Sequence, residues 1–226
     1  MTVLGLGDSI TEGPGDSTLG VLPRPWSHWL ALALDAPFHG LARPGATAPE
    51  VVRDLLPRAA RRRYGVACIG VGTNDVRAAD FSLSRCAAAI AALLDGVDAE
   101  RVCVATIPVD LGRPRAGGKV ALLNAEVRRL AAERGAAVVA LDDLRGWRLV
   151  MPDAVHPTAL GQVEVADRAA AALGLDVRPS SLVDPHRSGR AALRYAVTRH
   201  APMLGRELRR RAVESRTWRA PGRDRT

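Results

Sequence analysis

Five short apolar runs, separated by longer stretches of helical periodicity, constrain this chain more than any other feature. Such runs read as strands buried on both faces, and the segments between them supply the helical crossovers of a parallel sheet. The strands are expected near Thr2–Leu6, Ala36–Leu41, Gly65–Val71, Arg101–Thr106 and Ala136–Leu141. Helices are expected near Pro25–Leu34, Ala48–Ala60, Leu83–Leu94, Lys119–Arg134 and Ala159–Leu173. Right-handed crossovers place helices on both sides of the sheet, giving an α/β class, three-layer α/β/α sandwich over residues 1–175. With aromatics at only 4% of 226 residues, Ala, Val and Leu must fill most of its core.

Charge separates this body from the C-terminal part of the chain. Residues 1–175 hold nineteen basic and nineteen acidic side chains, whereas residues 176–226 hold thirteen arginines against five acids. The net charge of +8 therefore belongs to a C-terminal extension and says nothing about the substrate of the body. Pro179, Ser180, Ser181, Pro185 and Gly189 read as a linker. Beyond it come two short helical segments, Ala191–Arg199 and Pro202–Val213, the second with Leu204, Leu208 and Ala212 at helical spacing. The end, Ala220–Thr226, is expected to lack regular structure.

Parallel sheets bind ligands beyond the carboxyl ends of their strands, and the polar clusters of this sequence fall there. Gly7-Asp8-Ser9 comes after the first strand, Gly45 after the second, and Gly72-Thr73-Asn74-Asp75 after the third. Asp153-Ala154-Val155-His156 lies between the fifth strand and the last helix. Ser9 is a nucleophile if a base takes its proton, but Glu12 three residues on makes it equally a helix cap. His156 is the side chain type that shuttles protons near neutral pH, and Asp153 is close enough to fix its tautomer. Gly45 and Asn74 alone read as ordinary turn residues. Asp8 and Asp75 read as braces that accept backbone N–H groups, while Asp142 and Asp143 compete with Asp153 as partners for the histidine. His28, His39, His186 and His200 have no comparable setting.

Taken together in order, these segments resemble the four blocks of the SGNH/GDSL hydrolase superfamily. Gly7-Asp8-Ser9-Ile10-Thr11-Glu12-Gly13 matches the first, Gly45 the second, Gly72-Thr73-Asn74-Asp75 the third, and Asp153-Ala154-Val155-His156-Pro157 the last. Gly40 departs from the pattern, where many relatives carry asparagine. The resemblance implies a flavodoxin-like five-stranded sheet and an acyl-enzyme on Ser9, with His156 as base and Asp153 as its orienting partner. It also implies an oxyanion hole made from the N–H groups of Ser9 and Gly45 and the amide of Asn74, with no cofactor and no metal. The expected reaction is hydrolysis of a small-molecule carboxylic ester, and the lack of a long lid insertion points to a short acyl group.

Three rival readings stand beside it. An acyltransferase would use the same acyl-enzyme with an alcohol as acceptor. A metal-dependent phosphoesterase would gather Asp8, Asn74, Asp75, Asp153 and His156 around two cations, and chelators would then abolish activity. A non-enzymatic binding protein would act through its tail, whose arginines suit an anionic membrane surface or self-association. Nucleic acid is disfavoured, because Tyr195 and Trp218 are the only aromatics there for stacking. No apolar run reaches the roughly eighteen residues of a spanning helix, and Met1–Gly7 reads as a strand and not a signal peptide. Cys68, Cys86 and Cys103 lack metal-ligand spacing and are expected as unpaired thiols in a reducing cytoplasm.

Overall fold

The structure, a computed structural model, describes residues 1–108, 116–185 and 189–217, with side chains to Val213. His186, Trp218 and Ala220–Thr226 lie outside the described residues. The five strands are β1 (Val3–Gly7), β2 (Phe38–Ala42), β3 (Arg63–Gly70), β4 (Asp98–Ala105) and β5 (Ala137–Val139). All pair in parallel, in the order β2-β1-β3-β4-β5. That is the expected five-stranded α/β sheet, and its switch point lies between β1 and β3.

The helices are α1 (Ser9–Glu12), α2 (Trp26–Ala33), α3 (Ala48–Asp54), α4 (Leu56–Ala59), α5 (Thr73–Arg77), α6 (Leu83–Gly96), α7 (Gly118–Arg134), α8 (Ala159–Ala172), α9 (Gly189–Tyr195) and α10 (Ala201–Thr217). The single helix expected over Ala48–Ala60 is broken between α3 and α4. Pro57 causes the break, since it has no N–H to give the Arg53 carbonyl and its ring crowds that oxygen.

Strand residues alternate between two cores. Leu4, Leu6, Ile69 and Val104 pack against α3, α6 and α7 on one face. Val3, Val66, Cys68, Cys103 and Val139 pack against α2 and α8 on the other. Burial of each large side chain such as Trp26, Leu30 or Ile90 contributes roughly 1.5–3 kcal/mol. The absence of a side chain at Gly5 lets α2 close on β1: a β-carbon there would meet Ser27 Oγ at 2.3 Å. All three cysteines are buried and free.

The segment read as a linker lies on the body. Val177 and Val183 pack against the second core, Pro179–Leu182 form a 3-10 turn, and the Ser180 N–H donates to Asp167 at 2.9 Å. The two tail helices are also joined, where the sequence suggested separate segments. A π-helical stretch, Ala196–His200, connects α9 to α10. Pro202 explains it, because proline gives no N–H to the Thr198 carbonyl, and a widened turn removes the clash. No helix among the described residues is long and apolar enough to cross a membrane.

Candidate active site

Ser9 opens α1 directly after β1. The turn is tight because β1 and β3 approach closely at their carboxyl ends: a β-carbon on Gly7 would lie 2.0 Å from the Gly70 carbonyl oxygen. That carbonyl accepts the Asp8 N–H at 3.1 Å and the Thr11 hydroxyl at 3.1 Å, pinning both sides of Ser9. Asp8 caps α1 by accepting the Ile10 N–H at 2.9 Å, so the cap is Asp8 and Ser9 is the first helical residue. Freed from capping, the Ser9 hydroxyl hydrogen-bonds His156 Nε2 at 2.8 Å.

His156 sits on a turn shaped by Asp153. One carboxylate oxygen of Asp153 accepts the N–H groups of Val155 (2.9 Å) and His156 (3.0 Å), and the other meets His156 Nδ1 at 2.7 Å. Ala154 between them has φ 58°, left-handed and strained for a residue with a β-carbon, at a cost of about 1 kcal/mol or more. Burial works to raise the Asp153 carboxyl, but its bonds to His156 and the two N–H groups outweigh that and hold it below the usual range. Asp142 and Asp143 face elsewhere, onto Arg128 and Arg168 respectively, so Asp153 has no competitor for the imidazole.

The remaining two loops are cross-braced to this rim. The Arg43 N–H donates to the Gly7 carbonyl, and Asp75 accepts the Ala48 N–H at 2.9 Å. Thr47 and Glu50 close a capping box at the start of α3. Gly45 has φ 77° and no atom within 4 Å of a β-carbon placed there. That φ lies in the left-handed region, which favours glycine. The Asn74 amide donates to the Ala46 carbonyl at 2.9 Å, which fixes its orientation and uses one of its two hydrogens. The structure thus brings Ser9, His156 and Asp153 into one hydrogen-bonded chain and ties Asn74 to the Gly45 loop.

Sequence reading missed Gln162. It lies buried on α8, donating to the Ile10 carbonyl at 3.0 Å and accepting the Trp26 N–H at 2.9 Å. It couples the nucleophile turn to the helix just after His156. Its signal was available as a polar residue on the core-facing side of an apolar helix, where an uncompensated amide would be costly.

Asp8 has a second consequence. It is wholly buried, and its Oδ2 has no hydrogen-bond partner among the described residues. Burial pushes its carboxyl from 3.8 up to about 7; the Ile10 N–H and His156 oppose this and Asp75 adds to it. Between those values the folded protein holds a proton that the unfolded chain has released. The contribution to stability is thus complete below about pH 4 and is lost as pH rises through 7. Asp8→Asn removes this titration. The variant's melting temperature relative to the parent should therefore climb between pH 4 and 7, by on the order of 10 °C for a contribution of ~4 kcal/mol. Parallel melting curves across that range would show that Asp8 does not titrate there.

Among the described residues, no group of three or more His, Cys, Asp or Glu could hold an ion. One carboxylate oxygen of Asp8 accepts the Ile10 N–H, and one of Asp75 accepts the Ala48 N–H.

Comparison with known proteins bears on the family and the fold. The model of the GDSL-like Lipase/Acylhydrolase family matches residues 6–163. No curated protein sequence matches significantly. Among solved structures, the lipase/acylhydrolase from Enterococcus faecalis is similar with a TM-score of 0.64 at 15% identity, over 79% of this chain and 97% of that one. An acetyl xylan esterase from Geobacillus stearothermophilus gives a TM-score of 0.57 at 18% identity, over 77% and 94%. At these identities the structural likeness is one of fold.

Proposed function

This chain belongs to the GDSL-like lipase/acylhydrolase family of ester hydrolases, and from that premise we propose that it cleaves a short-chain carboxylic ester through an acyl-enzyme on Ser9. The observation that carries the reading is the unbroken hydrogen-bond chain from Asp153 through His156 to Ser9. Ser9 Oγ attacks the carbonyl carbon while its proton passes to His156 Nε2. Asp153 keeps the other ring proton on Nδ1 and stabilises the imidazolium. The carbonyl oxygen becomes an oxyanion received by the N–H groups of Ser9 and Gly45 and the remaining amide hydrogen of Asn74. Collapse expels the alcohol, which takes the proton from His156. A water then repeats the sequence on the acyl-serine and releases the acid.

An acetyl ester is the first substrate to try, since one structural neighbour is an acetyl xylan esterase. Free, buried cysteines suit the cytoplasmic location expected from the sequence. The test is a series of p-nitrophenyl esters of increasing chain length, assayed with and without a chelator. Turnover should be greatest for acetate or propionate and unaffected by EDTA. A preference for long chains would refute the short-acyl reading, and metal-restored activity would refute the serine mechanism.

Asn74→Ala should lower kcat by roughly 10²–10³-fold with little change in KM, because the lost donor acts chiefly on the oxyanion. A normal kcat with a raised KM would make Asn74 a substrate-binding residue instead.

A further inference from the structure

We propose that the helical segment Gly189–Thr217 docks this protein onto an anionic lipid bilayer. One side of the segment is anchored on the body: Tyr195, Met203 and Glu207 are buried, and Tyr195 stacks on Trp147 with ring centroids 6.0 Å apart. Arg199 lies 3.9 Å from Asp16. The anchors fall in the loop that precedes Met151–His156 and in the loop just after α1, so the segment is fixed beside both.

The outward side carries leucine and valine. Leu193, Val197, Leu204 and Leu208 are 66%, 61%, 40% and 55% exposed, at spacings of four, seven and four. Across the α-helical turns and the π-helical turn that joins them, these intervals keep the four residues on one flank. Arg190, Arg194, Arg206 and Arg209 are exposed alongside them. The buried Glu207 is paired within the helix by Arg210 and Arg211. Eight arginines stand against two glutamates over the whole segment, while residues 1–175 are electrically balanced.

Charge and apolarity together select the occupant. An amphipathic basic helix lies in a membrane interface with its apolar flank at the acyl boundary and its guanidinium groups at the lipid phosphates. A nucleic acid would supply the phosphates but leave the leucines in water. A second copy packed flank to flank would cover the leucines but bring like-charged arginines together. Only the anionic bilayer meets both demands.

Flotation of the full-length protein with vesicles tests this. Binding is expected to mixed phosphatidylglycerol–phosphatidylcholine vesicles, to be weakened by salt, and to be absent with phosphatidylcholine alone. The double variants Leu204→Gln/Leu208→Gln and Arg206→Gln/Arg209→Gln should each lose about tenfold or more in affinity. Both should keep the parent's melting temperature and its turnover of a soluble ester, since these four side chains project from the body. No binding by the parent, equal binding to phosphatidylcholine, or leucine variants that bind like the parent would each overturn the proposal. So would a parent that sediments as a dimer where the leucine variant is a monomer, or that prefers a nucleic acid to the vesicles.

Discussion

Ser9→Ala is expected to lower kcat for a small ester by on the order of 10⁴-fold or more while the protein stays folded. The change removes one oxygen, which is held by a single 2.8 Å bond to His156. The features that shape the turn are backbone or belong to neighbours: the Asp8 cap, the Ser9 carbonyl accepting the Gly13 N–H, and the Gly70 carbonyl accepting from Asp8 and Thr11. Melting temperature should accordingly shift by only a few degrees. A serine-directed phosphonate should label the parent on Ser9 and leave the variant unmodified, read by peptide mass spectrometry. Residual turnover above the uncatalysed rate is expected, because the oxyanion donors remain. An alanine variant with full activity, or a label on another serine, would remove Ser9 from the mechanism altogether.

Why the sequence revealed so much of the sheet, and where it stopped, has a physical explanation. Apolar runs mark the strand segments that face both cores, and all five were visible in that way. They do not mark pairing by backbone alone. β4 starts at Asp98 and not Arg101, because Asp98 and Ala99 pair with Arg63 and Tyr64 at a polar end of the sheet that apolarity cannot report. β5 ends at Val139 although the apolar run continues to Leu141. There the Leu141 N–H leaves the ladder for the Thr106 hydroxyl, a long-range side-chain bond with no local signature. The π-helical join in the tail likewise arises from Pro202, which reads from sequence as the start of a separate segment and in the structure is absorbed by a wider turn.

The candidate site divides along the same line. Ser9, Asp153 and His156 stood out as reactive residues beyond strand ends, whereas Gly45 and Asn74 alone read as turn residues and were singled out only by the family resemblance. Of their supports, Asp8 and Asp75 were read as braces for backbone N–H groups and act as such, whereas others escaped notice because they are single polar residues inside apolar helices. Gln162 is one. Asn124 is another, making two bonds to the Ile107 backbone and one to Asp142, and so holding the end of β4 against α7. Asp142 itself looked like a spare catalytic carboxylate; its partners, Arg128, Thr106 and Asn124, were distant in sequence and became evident only in three dimensions.

Asp153→Asn should lower kcat by roughly 10³–10⁴-fold with geometry preserved, and it separates orientation from mere proximity. Asp153 uses its two oxygens differently: Oδ1 accepts the Val155 and His156 N–H groups, and Oδ2 faces His156 Nδ1. An asparagine keeps its oxygen on the two backbone donors, because turning the amide over would set NH₂ against two N–H groups and forfeit about 1 kcal/mol per bond, with added repulsion. The amide nitrogen is then forced toward Nδ1 and donates to it. The ring proton moves to Nε2, where it points at Ser9 Oγ, and the imidazole can no longer accept the serine proton. KM should change little, since Asp153 does not touch the substrate in this mechanism. Asp142→Asn provides the control: its carboxylate is engaged with Arg128, so ester turnover should stay within a few-fold of the parent. An Asp153→Asn enzyme within tenfold of the parent would show that the carboxylate shapes the turn without setting the tautomer, and a loss confined to Asp142→Asn would transfer the orienting role to that residue.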